Sequence, residues 1–150
     1  MRFPQKEGID YTETSAPMAK YSTIRSIISL AFVMGWKLHQ MDVKSAFING
    51  VVEEEVYIEQ PEGFVIHDRE THVCGLKKAL YGLKQAPRAW YSRIDNYLTG
   101  LDFSKTDADD NLYYKVVDGQ PLILVLYVDD LFLTGDEYDC QVQEGVGSRV

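Results

Sequence analysis

The sequence predicts an α+β fold, an antiparallel sheet backed by helices, and three observations point to it. Ile24, Ile27, Ile28 and Ala31 form one apolar face at helical spacing, and Trp90, Ile94, Tyr97, Leu98 and Leu101 form another. Between residues 112 and 134, apolar runs are broken at Asp118-Gly119 and again at Asp129-Asp130, which reads as successive hairpin strands. The chain has 150 residues, 45% of them apolar and 25% charged, enough for one ordinary domain with a buried core.

In chain order, residues 1–19 lack any period, and Gly8 and Pro17 interrupt them. A first helix is expected over Ser22 to Met34, with Ser22 as N-cap and Gly35 in the C′ position. Trp36 to Val43 alternates as a strand, which places Asp42 at its C-terminal end. Val51 to Glu59 reads as extended chain, one arm of a hairpin turned at Asn49-Gly50. Gln60-Pro61-Glu62-Gly63 is turn chemistry, and Val73 to Leu76 a short strand. A second helix starts near Pro87, which suits a first helical turn, and ends at Gly100. Leu112–Val117 and Leu122–Val128 form a hairpin, and Leu131–Thr134 adds a further strand.

Composition excludes several classes. No apolar run approaches the ~20 residues of a membrane span. The start, MRFPQKEGID, has no apolar stretch of the kind a secretory signal needs. Cys74 and Cys140 are too few for a four-ligand zinc site, and a reducing compartment is the default. With 15 basic and 23 acidic residues, the net charge of −8 argues against free-standing electrostatic capture of nucleic acid.

Asp129-Asp130 is the most informative dipeptide. It lies between LILVLYV and LFL, so its two carboxylates repel each other with little polar company. Divalent cations relieve such repulsion, and Mg²⁺ favours a few carboxylates plus phosphate oxygens. Asp42 supplies a third carboxylate if the strands are neighbours. Taken alone, the dipeptide fits an ordinary hairpin turn better, because Asp favours turns.

The wider strings change that balance. MDVKSAF (41–47), LYGLKQAPRAWY (80–91) and LYVDDLFLTG (126–135) occur in this order, with QKEGIDYTET (5–14) and NGVVEEEVYIEQPEGF (49–64) between and before them. Together they resemble the reverse transcriptase domain in the Pol polyprotein of copia-type LTR retrotransposons. The resemblance runs over about residues 5–137.

It implies part of a right-handed polymerase, palm and fingers, over residues 1–137, with a divergent tail at 138–150. It implies template-directed addition of deoxynucleotides to a primer 3′-hydroxyl, on an RNA or DNA template-primer duplex. Asp42, Asp129 and Asp130 match the family's catalytic, metal-binding aspartates, which hold two Mg²⁺ ions or Mn²⁺ in their place. Phe47 matches the aromatic beneath the nucleotide sugar that excludes a 2′-hydroxyl; on its own it would read as a buried aromatic. Tyr81, Gly82, Lys84 and Tyr127 match nucleotide-binding positions, and Gln85, Pro87 and Arg88 nucleic-acid contacts. Lys77, Lys78, Lys84, Arg88 and Arg93, five of the 15 basic residues, suit phosphates or a solvated face equally. Trp90 and Tyr97 read as core, given their helical register.

Departures accompany the match. The chain starts after the family's upstream basic strands, and EYDCQVQEGVGSRV (137–150) does not look like its continuation. Ser15, Gly75, Asp102 and Asp110 stand where other residues are expected. The resemblance places integrase and RNase H elsewhere in the intact polyprotein and the protein in cytoplasmic virus-like particles, with no membrane partner. Two other readings stand beside the polymerase: a catalytically silent retrotransposon remnant, and an acidic protein-interaction module.

Overall fold

One antiparallel sheet organises the computed structural model, which describes residues 5–6, 8, 11, 14–69 and 71–136. The expected tail at 138–150 lies outside the described residues. The sheet contains β1 (Lys37–Asp42), β4 (Ser104–Thr106), β5 (Asp109–Val117), β6 (Gln120–Tyr127) and β7 (Asp130–Gly135), in the order β1-β7-β6-β5-β4. Two tight hairpins join its middle strands. At the first, Asp118 and Gly119 both take positive φ, 50° and 82°, as a twist-matched two-residue turn requires.

Among the described residues, three helices accompany it: α1 (Tyr21–Met34), α2 (Ala46–Asn49) and α3 (Ala86–Gly100). Strand alternation puts Leu122, Leu124, Leu126, Leu131, Leu133 and Tyr113 on one face of the sheet. Trp90, Ile94 and Leu98, spaced at i, i+4 and i+8 on α3, pack against that face to make the main core. Each large side chain buried there contributes roughly 1.5–3 kcal/mol. Asp95, on the same helix, accepts the Tyr113 hydroxyl at 2.8 Å and the Lys105 ammonium at 3.0 Å, which ties α3 to the neighbouring strands.

A smaller cluster comprises Val52, Val56, Ala79, Leu83 and Ala86, and Val56 leads into β2 (Tyr57–Glu59), which pairs with β3 (Val73–Gly75) in a separate two-stranded sheet. Gly50 joins the two regions. A Cβ there would lie 2.8 Å from the Trp90 backbone nitrogen and 2.9 Å from the Ala89 carbonyl carbon, so only glycine lets α2 come this close to α3.

Several local expectations are corrected. α1 starts at Tyr21 with Lys20 as its N-cap, two residues before Ser22, because Asp109 accepts the N-cap N–H from β5. Asp109 Oδ2 accepts the Lys20 backbone N–H at 3.0 Å and the Thr23 hydroxyl at 2.6 Å. Gly35 ends the helix as expected, at φ 71°, and Trp36 N–H reaches back to the Ala31 carbonyl at 2.9 Å. Of the expected apolar face only Ala31 is buried, while the next residue, Phe32, is 87% exposed. Asn49-Gly50 is no hairpin turn: it closes α2, with Gly50 at φ −67°. Of the expected strand Val51–Glu59, Tyr57–Glu59 pairs with β3 and Val51 forms an isolated antiparallel bridge with Lys78. β4 is an addition, and β5 begins three residues ahead of Leu112.

Candidate active site

The chemistry-bearing residues gather at one end of the large sheet. Asp42 is the last residue of β1 and lies directly opposite Asp130, the first residue of β7. Opposed residues share a face, so the two carboxylates, far apart in sequence, emerge on the same side. Gln40, two residues before Asp42 on that face, donates its amide to Asp130 Oδ1 at 3.1 Å. Asp42 is exposed and Asp130 half-buried, so both reach solvent.

Asp129 sits in the turn between β6 and β7. Tyr127 pairs with Asp130, which leaves Val128 and Asp129 as the two central residues. Val128 takes φ 59°, a left-handed value that a β-branched side chain resists at a cost of about 1–3 kcal/mol. The turn is held from both sides. Trp90 donates its indole N–H to the Val128 carbonyl at 2.7 Å, and Val43 donates its backbone N–H to the Asp129 carbonyl at 2.9 Å.

Among the described residues, no three His, Cys, Asp or Glu side chains converge as a closed metal cage. Mg²⁺ does not require one: it takes one or two carboxylates and completes its shell with water and phosphate oxygens. A facing carboxylate pair, open to solvent and with a third carboxylate in the adjoining turn, fits that demand in its donor chemistry.

Around this end stand aromatic rings. Tyr127, opposite Asp130, has its ring 6.3 Å from that of Tyr21 at the start of α1. A side-chain hydrogen bond with Tyr21, with that neighbour's charge second, holds the Tyr127 phenol above its ordinary range. Phe47 is half-buried on α2, and its ring meets Tyr81 edge-on at 5.2 Å. α2 follows β1 after only three residues, which is why Phe47 sits near Asp42.

The segment ahead of α3 is tied to the N-terminal chain. Gly82 takes φ 99°, open only to glycine without strain. Lys84 donates its backbone N–H to Gln5 Oε1 at 2.9 Å, and its ammonium reaches the Tyr11 hydroxyl at 2.8 Å, 5.0 Å from that ring's centre. Gln85, expected as a nucleic-acid contact, lies beside the N-terminal segment. Its side chain is buried at 2% exposure and accepts the Gln5 amide at 2.8 Å, so it anchors the N-terminal segment. Pro87 lies in the first turn of α3. Arg93 lines an open cleft of about 410 Å³ between α3 and the 51–53 stretch, and Arg88 an adjoining one of about 110 Å³; Glu53 borders both.

Three residues of the site escaped the sequence reading. Gln40 has the alternation that would place it beside Asp42, so its face was legible though its partner was not. Trp90 was legible only as core, and Tyr21 carried no signal.

A family profile described as reverse transcriptase (RNA-dependent DNA polymerase) matches residues 1–146. The chain is 45% identical over 136 residues to the retrovirus-related Pol polyprotein from transposon TNT 1-94 of Nicotiana tabacum, covering 90% of this chain and 10% of that protein. It is 41% identical over 135 residues to the corresponding polyprotein from transposon RE1 of Arabidopsis thaliana, covering 90% and 9%. A putative transposon Ty5-1 protein of Saccharomyces cerevisiae is 36% identical over 107 residues, 69% of this chain and 35% of that one. The chain thus spans about a tenth of the length of the plant polyproteins it matches. No solved structure matches it. The ordered strings around Asp42, Gly82 and Asp129-Asp130 and the profile match over almost the whole length lead to one assignment: the chain belongs to the reverse transcriptase (RNA-dependent DNA polymerase) family.

Proposed function

We infer that this chain forms the partial palm and fingers of an RNA-directed DNA polymerase that adds deoxynucleotides to a primer 3′-hydroxyl. The observation that carries the reading is the pairing of Asp42 with Asp130 beside the Asp129 turn. Asp42, Asp129 and Asp130 would hold two Mg²⁺ ions, or Mn²⁺ in their place. Bound there, such ions acidify the attacking hydroxyl and neutralise the departing pyrophosphate.

The chain's own residues supply position. The Phe47 ring, braced edge-on by Tyr81, is a fixed wall that a deoxyribose clears and a 2′-hydroxyl does not. Gly82 lets a nucleotide approach the backbone, and the Lys84 ammonium provides charge for its phosphates. Tyr127, on the same face as Asp130, flanks the bound nucleotide. Pro87 and Arg88 open α3 toward the template strand, with Arg88 as a phosphate contact. The remaining parts of a Pol polyprotein, integrase and RNase H, are partners in the intact element.

Mg²⁺-dependent binding of dTTP to the chain, followed by calorimetry, tests the reading. Binding that requires the cation and is lost in Asp129→Asn/Asp130→Asn supports it. Cation-independent binding, or binding untouched by the substitutions, contradicts it.

A further inference from the structure

We propose that Trp90 is a positioning residue whose indole N–H sets the conformation of the aspartate-bearing turn. The inference rests on the reading of Asp42, Asp129 and Asp130 as the cation-binding residues.

The argument starts from the turn itself. Val128 takes φ 59° at the first central position, where glycine is the usual occupant of a two-residue turn with one positive φ. A relaxed loop would drift out of that conformation. Two bonds prevent it. The Val128 carbonyl belongs to the peptide plane before the Asp129 Cα, and the Asp129 carbonyl belongs to the plane after it. Trp90 pins the first plane at 2.7 Å, and Val43 pins the second at 2.9 Å. Fixing both planes fixes φ and ψ of Asp129 and hence the direction of its Cβ.

Trp90 is suited to this. It is 2% exposed and packed in the main core, so its ring does not swing. Its indole offers one donor and no acceptor, so a buried tryptophan there needs a carbonyl. The Val128 carbonyl is that partner, across 38 residues of sequence. The main-chain close approach at Gly50 holds the same turn of α3 against α2. The helix that packs the core thereby also sets the catalytic turn, and phenylalanine, aromatic but smaller and without the N–H, would not serve.

The test uses the 150-residue chain with Mn²⁺ as probe, read by electron paramagnetic resonance of the free ion, beside thermal melting. Trp90→Phe retains a cooperative melt and weakens Mn²⁺ about tenfold, the scale of losing an outer-shell partner of a metal site. Adding Val128→Gly, which takes the positive φ without strain, returns the affinity to near its starting value. Trp36→Phe leaves Mn²⁺ binding unchanged. A Trp90→Phe chain that binds Mn²⁺ as before overturns the proposal, as does a loss that Val128→Gly does not repair. Where Trp90→Phe does not fold, the indole N–H proton resonance of Trp90 in the otherwise unaltered chain decides, assigned with Trp36→Phe. It shifts on Mg²⁺ addition if the turn and cation are linked, and a silent resonance overturns the link. A starting chain that binds no Mn²⁺, or binds it equally after Asp129→Asn/Asp130→Asn, instead overturns the reading of the site, and the proposal falls with it.

Discussion

Asp109, at the start of β5, caps α1 from across the fold by accepting the Lys20 backbone N–H at 3.0 Å. The helix has no cap of its own: Lys20 makes no side-chain cap bond and no acidic residue stands in the first turn. A long-range carboxylate therefore takes the N-cap N–H, the part that an N3 Glu plays in a capping box.

That bond makes α1 pH-sensitive. Burial raises the Asp109 carboxyl, but hydrogen bonds from Thr23, Lys20 and Asn111 outweigh it and hold the group below its ordinary range. A folded value below the unfolded one stabilises the fold fully above the unfolded value of about 3.9, and the gain disappears as pH falls through the folded value. Melting temperature is expected to drop more steeply below pH 4 in the unaltered chain than in Asp109→Asn. At pH 7, Asp109→Asn is expected to cost about 1–2 kcal/mol in denaturant unfolding, as for loss of a cap.

The Asp95–Tyr113 pair gives an alkaline counterpart. Burial, then its bonds to Tyr91 and Asp95, push the Tyr113 phenol far above its ordinary range. Stability from the neutral phenol is present below about pH 10 and fades as pH rises beyond it. Absorbance titration is expected to show one tyrosine that ionises only on unfolding, and Tyr113→Phe removes it. Asp95→Ala, which leaves the buried hydroxyl without its acceptor, is expected to cost about 1–3 kcal/mol.

Packing separates two apolar residues of similar appearance. Leu124 is fully buried in the main core, and Phe32 is 87% exposed on α1. Leu124→Ala is expected to cost about 2–5 kcal/mol, and Phe32→Ala within about 0.5 kcal/mol of zero, by urea unfolding.

Phe47 carries the sugar-selectivity claim. Phe47→Ala is expected to raise rNTP use relative to dNTP by about tenfold or more, with the melting temperature lowered because the Tyr81 edge contact is lost. Unchanged discrimination in competing-substrate kinetics would remove Phe47 from the site.

Long periodic elements were legible in the sequence, and short ones were not. β6, β7 and α3 follow from apolar runs and helical spacing over six to fifteen residues. α2 and β4 have four and three residues, too few to show a period. Ser22 looked like the cap of α1 because local chemistry marks it, whereas the actual capping oxygen comes from a residue 89 positions away. The same holds at the site. Asp42, Asp129 and Asp130 stood out because their strings are distinctive, but that Asp42 faces Asp130 rests on a strand pairing across 88 residues. The bond that Gln85 accepts from Gln5 was not legible, because the two lie 80 positions apart. The Trp90 bond was invisible because its acceptor is a backbone carbonyl, which no side-chain pattern marks.

Primer extension tests the central claim most directly: poly(rA)/oligo(dT), dTTP and Mg²⁺ or Mn²⁺, with folded chain and an Asp129→Asn/Asp130→Asn control beside it. The account predicts cation-dependent extension that disappears in the control. Extension that survives the double substitution, or folded chain that extends nothing with either cation, contradicts it.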